Sequence, residues 1–186
     1  MEQLALVAGI IVVLLVVYVI ATYNRLVNLR TLIENAWSNI ETELKRRYDL
    51  IPNLVSTVKG YAAHEKEVFE KVTQARMQAM QSHGDRAEQA RDENQLAQAM
   101  RGVLAVAESY PDLKASTLFL ALQKELTNTE NRIQAARRFY NGNIKDSNSL
   151  VRQFPSNLLA RWFGFSESAF FEVESALERQ PVQVSL

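Results

Sequence analysis

Few residues in this chain are of a type and spacing that could do chemistry. His64-Glu65 begins like the H-E-x-x-H zinc motif, where two histidines one helical turn apart hold the metal and the glutamate acts as general base. The position that should carry the second histidine is Val68, and the other histidine of the chain, His83, lies in a separate segment. A catalytic zinc needs about three protein ligands on converging faces, so His64 reads as a helix-surface residue. Glu67 follows His64 by three residues, but a di-iron bundle needs the reverse order and a second pair. The chain has no cysteine, which removes thiolate nucleophiles, thiolate metal sites and disulfides together. Nucleophile-elbow, phosphate-loop and dinucleotide fingerprints are also missing. These residues predict no enzyme, no metal and no cofactor.

Two polar stretches are less bland. Lys45-Arg46-Arg47-Tyr48-Asp49 stands before Pro52 and Asn53, while Thr129-Glu130-Asn131-Arg132 and Arg137-Arg138 come much later. On the physics of the residues alone they read first as solvated helix faces. Pairs such as Lys45 with Asp49 would then contribute about 0.2–0.5 kcal/mol each. The sharper alternative is a buried polar layer of Arg47, Asp49, Asn53, Glu130, Asn131 and Arg137 that fixes register between facing helices.

The elements that must position these groups are helices. The 186 residues include only 6 glycines and 4 prolines, and 21 basic residues balance 21 acidic ones. A balanced charge gives no field for nucleic acid, and none is expected as a partner. From Leu4 to Ala21 the chain is uncharged and dominated by Leu, Ile and Val. At ~1.5 Å per residue this run covers about 27 Å, close to the ~30 Å hydrocarbon core of a bilayer. Its aliphatic residues favour insertion by about 4 to 8 kcal/mol. A cleavable signal would carry an early basic region and a small-residue cleavage site, and a core helix would be polar on one side. The run matches neither. It reads as a retained transmembrane anchor over residues 1–23, with Leu4, Leu6, Ile10, Leu14, Val17 and Ile20 facing lipid. Arg25 and Arg30 follow it while Glu2 precedes it, so the N-terminus is expected outside and the domain in the cytoplasm.

Neither glycine nor proline occurs between Ile10 and Ile51, and Leu26, Leu29, Ile33, Trp37, Ile40 and Leu44 recur in steps of three and four. The anchor is therefore expected to run directly into the first domain helix, with a kink or short break at Pro52. The pattern resumes from Leu54 to about Met80, and Ser82-His83-Gly84 reads as a turn. Asp85 and Glu88 resemble a capping box for a helix ended by Pro111. A last long helix starts between Asp112 and Ser116 and reaches about Arg152. The prediction is an all-α chain: a single transmembrane helix continuous with an antiparallel up-and-down bundle over residues 24–153.

Beyond the bundle, residues 154–186 form an aromatic-rich segment with a short helix and a frayed tail from Pro181. Phe154, Trp162, Phe163, Phe165, Phe170 and Phe171 could close the end of the bundle, form a subunit interface or meet a membrane surface.

Three stretches carry a family likeness: YNRLVNLRTLIENAWSNIETELKRRYDLIPNLVSTVKGYAAHEKEVFEKVTQA from Tyr23, then ASTLFLALQKELTNTENRIQAARRFYN, then FPSNLLARWFGF. In order and spacing they resemble the LemA family across nearly the whole chain. The resemblance implies a membrane-anchored helical bundle of the bacterial inner membrane with its N-terminus outside, and adds weight to Arg47, Asp49, Pro52, Asn53, Glu130, Asn131, Arg137, Tyr140 and Asn141. It implies no catalytic residue. The uninterrupted first helix and terminal aromatics suggest a homo-oligomeric, coiled-coil-like scaffold that organises or remodels the bilayer. The alternative, which the resemblance implies, is an adaptor for a membrane protease or another envelope protein.

Overall fold

The computed structural model describes residues 1–82 and 84–172. Among them are six α-helices and no strand: α1 (Glu2–Lys59), α2 (Lys66–Gln81), α3 (Arg86–Glu108), α4 (Pro111–Lys114), α5 (Thr117–Arg152) and α6 (Ser156–Trp162). The chain is an all-α protein whose long apolar N-terminal helix continues into a helical bundle.

Helix α1 has no breaker from the apolar run into the domain, and the structure keeps it unbroken for 58 residues. The break expected at Pro52 does not occur. Proline cannot donate to the carbonyl four residues back, which is that of Tyr48. That carbonyl instead accepts a hydrogen bond of 2.6 Å from Arg76 Nε on α2. Burial holds the helix on both sides of the defect, because Ile51, Leu54 and Val58 are all removed from solvent. At about 1.5–3 kcal/mol for each buried aliphatic side chain, these three outweigh one lost hydrogen bond. The helix ends instead after Lys59, at Gly60, where the amides of Tyr61 and Ala62 both return to the carbonyl of Val58.

The later boundaries follow local chemistry. Asp85 caps α3, its side chain accepting from the amide of Ala87 at 2.8 Å. Helix α3 stops at Glu108, before Pro111, and Pro111 opens α4 rather than ending α3. This suits proline, whose missing N–H is not needed in a first turn. At the head of α5, Ser116 Oγ accepts from the amide of Phe119 at 3.5 Å. Helix α6 ends in a Schellman turn. Gly164 adopts φ 74°, its amide bonds to the Arg161 carbonyl, and that of Phe165 reaches the Ala160 carbonyl at 2.8 Å.

The chain divides into two compact units. One comprises Met1–Asn39 and Ala136–Ala169. Its core is built from Leu26, Leu29, Ile33 and Ala36 of α1 with Tyr140, Ile144 and Ala160, and Trp37 packs on Tyr140 with ring centroids 5.5 Å apart. Within the same unit the apolar run of α1 is uncovered on all sides, with none of its most hydrophobic stretch buried. A core helix would be covered by its own fold. The run is a candidate membrane-spanning helix.

The other unit comprises Ile40–Ala135 with the described residues from Phe170. Ile40, Leu44, Ile51, Leu54 and Val58 of α1 meet Phe69 and Val72 of α2, Leu96, Met100 and Val103 of α3, and Phe119, Leu126 and Ile133 of α5 in its core. Ion pairs of Glu43 with Arg132 and Arg47 with Glu130 run in opposite chain order, so the α1 and α5 segments of this unit are antiparallel.

Candidate functional site

Arg47 lies on α1 between Leu44 and Ile51, at a position whose helical phase faces the core, and it is 2% exposed. Its guanidinium forks: Nη1 donates to Glu130 Oε1 on α5 at 2.8 Å, and Nη2 to Glu93 Oε2 on α3. Glu93 is 1% exposed, and its other oxygen accepts from the Tyr48 hydroxyl, which also lies 3.3 Å from the Ala79 carbonyl on α2. One buried layer therefore ties together α1, α2, α3 and α5. Arg47 Nε is buried without an acceptor, so the fork alone carries the pairing. Beside it, buried Asp92 accepts from Gln78 Nε2 at 2.7 Å and from Ser82 Oγ, joining α3 to the end of α2. At the rim, Glu43 pairs with Arg132 at 3.7 Å and Arg46 at 3.8 Å.

The electrostatics favour holding over reacting. Burial, reinforced by the charge of Asp92, pushes the Tyr48 hydroxyl above its ordinary pKa against the lowering effects of Arg47 and a hydrogen bond with Gln89. The phenol thus remains a proton donor to Glu93. Both terminal nitrogens of Arg47 are engaged by carboxylates of the same chain. A buried ion pair is expensive to desolvate and costly to break by removing one partner. Among the described residues, no group of three or more His, Cys, Asp or Glu is placed to hold a metal ion.

Of the polar residues singled out by sequence, Arg47 and Glu130 meet. Asp49, Asn53 and Asn131 stand exposed, and Arg137 is half-buried in the other unit. Glu93 and the Tyr48 hydroxyl complete the layer without having been singled out for it. Their signal was phase: Glu93 occupies a core position of α3, three residues before Leu96 and seven before Met100. His64 is exposed in the turn between α1 and α2, not on a helix as expected, because Gly60 ends α1 four residues earlier. His83 lies outside the described residues.

Phe154, Trp162, Phe163 and Phe165 belong to the first unit, and Phe170 and Phe171 to the second. Phe171 is fully buried. Phe154 and Trp162 are 79% and 85% exposed. Phe163 and Phe165 pack on Tyr23 of α1, with centroids 4.8 and 6.1 Å away. The tail from Pro181 lies outside the described residues.

Sequence comparison relates the chain to known proteins. The chain is 32% identical over 163 residues to Protein LemA of Metamycoplasma hominis, covering 87% of this chain and 74% of that one. It is 26% identical to Magnetosome protein MamQ 2 of Paramagnetospirillum magneticum, covering 90% and 72%. It is 22% identical to Magnetosome protein MamQ of Magnetospirillum gryphiswaldense, covering 83% and 66%. The sequence model of the LemA family matches residues 36–186, a span that holds the whole buried layer and the aromatic segment, and the chain belongs to the LemA family.

Proposed function

We propose that the chain is a non-catalytic scaffold, anchored in the inner membrane by residues 4–21, which self-assembles and organises or remodels the bilayer around it. The observation that carries this reading is the uncovered apolar start of α1, which continues without interruption into a helix whose next turns are core. An anchor of this kind is held by the fold instead of trailing from it. The buried charges support a structural role, since Arg47 is occupied by Glu93 and Glu130 and offers no open cationic site. Arg25 and Arg30 beyond the anchor favour a cytoplasmic domain and an external N-terminus. Likeness to magnetosome proteins is in keeping with work at a membrane.

The test is the particle mass of the full chain in nanodiscs over a range of protein-to-lipid ratios. A defined homo-oligomer that persists on dilution is expected. A monomer throughout would reject self-assembly and turn the search to a different membrane protein, such as a protease, as the partner the chain serves.

A further inference from the structure

The aromatic segment of the first unit returns to Tyr23 of α1. Tyr23 stands two residues beyond Ala21, the last residue of the apolar run, which is about 3 Å along the helix axis. The ring of Phe163 lies 4.8 Å from that of Tyr23, and that of Phe165 6.1 Å. The Schellman turn at Gly164 makes this possible, because its positive φ reverses the chain and lets residues on both sides of the glycine return to one tyrosine. Helix α6 is thereby held where α1 leaves its lipid-matched segment.

The rest of α6 is apolar where it is open. Leu158 and Trp162 are four residues apart, hence on one face, and both are exposed, as is Phe154 just ahead of the helix. A Leu–Trp face open to water is costly, and large apolar patches on a folded domain mark a contact. Tryptophan is enriched at the headgroup level, where an apolar ring and a polar N–H are both accommodated. The zone between hydrocarbon and water is only about 5–8 Å deep on each side, so a group packed against Tyr23 falls within it. Exposed Arg161, beside Trp162 in sequence, brings a cation suited to lipid phosphate.

From this placement we infer that α6 is a second membrane contact: Phe154, Leu158 and Trp162 insert at the lipid headgroup level beside the anchor. The inference rests on the reading of residues 4–21 as membrane-spanning. Two contacts fix what one helix leaves free, the rotation and tilt of α1 in the bilayer.

The experiment uses the full chain in phosphatidylcholine vesicles. Trp37→Phe leaves Trp162 as the only tryptophan, and its emission is measured with lipids brominated at shallow or deep acyl positions. Independently, Leu158→Cys carries a nitroxide on the otherwise unaltered chain, which has no other cysteine. Its relaxation by oxygen is compared with that by an aqueous nickel complex, with Lys145→Cys as the exposed reference. Expected are blue-shifted Trp162 emission losing most of its intensity to shallow bromines and less to deep ones, and a nitroxide at 158 relaxed more by oxygen than that at 145. Water-like emission quenched by acrylamide overturns the inference. So does blue-shifted emission that ignores bromine and follows protein concentration, the sign of a second copy on this face. In both cases resistance of the protein to alkaline extraction shows that the anchor itself stands. Extraction of the whole chain by alkaline wash defeats both the anchor and the inference built on it.

Discussion

Replacing Arg47 with methionine keeps most of its buried stem and removes its charge. Two carboxylates then lose their cation, and they lose unequally. The Glu130 side chain is 35% exposed and recovers hydration, so its share falls to the surface scale of about 0–1 kcal/mol. The Glu93 side chain is 1% exposed and keeps only the Tyr48 hydroxyl, so it bears the cost of an orphaned buried charge, about 3–5 kcal/mol. For a chain of this size, each kcal/mol lowers Tm by about 2–4 °C, and the expected fall is about 6–20 °C. The same reasoning requires rescue. Arg47→Met with Glu93→Leu removes the orphan, leaves the Tyr48 hydroxyl the Ala79 carbonyl, and should recover most of the loss. Thermal melts of the full chain in detergent, followed by far-ultraviolet circular dichroism, measure all three variants. A single-variant loss below about 1 kcal/mol would place Arg47 on the surface scale. A double variant no better than the single one would refute the orphaned-charge argument even if both were unstable.

Tyr48 makes a pH-dependent prediction. Its pKa is raised in the fold above the ordinary phenol value of 10.0, so its contribution is fully present below that value and is lost as pH rises through the folded one. Denaturant melts between pH 9 and 11 should show Tyr48→Phe losing less stability than the parent over that window, after a loss of about 1–3 kcal/mol at neutral pH from the unpaired Glu93 oxygen. Gly164→Ala meets no atom within 4 Å, so its cost is conformational only. About 1–2 kcal/mol is expected from the positive φ, with weakened ring-current shifts at Tyr23 by NMR as the Schellman turn loosens. Asp85→Ala removes the α3 cap and should cost about 0.5–2 kcal/mol, with faster amide exchange confined to the first turn of α3.

By itself the sequence determined the helical class, the candidate span and the apolar stripe of α1, because hydrophobic periodicity and a scarcity of breakers are local properties, legible along the chain without its tertiary contacts. It also determined the Asp85 cap and the start of α5 near Ser116, since capping acts within three residues. Pro52 lay beyond that reach. Whether a proline breaks a helix depends on what satisfies the freed carbonyl, and here the answer is Arg76, which comes from α2 and is invisible in the neighbourhood of residue 52. The buried layer was half legible for the same reason. Arg47 and Glu93 both sit at core phases of their helices, a signal that charge belongs inside. That each is the other's partner follows only once α1 and α3 are packed at one register. Burial of an ion is tolerable only with its counter-ion in place, and tertiary structure alone sets that meeting.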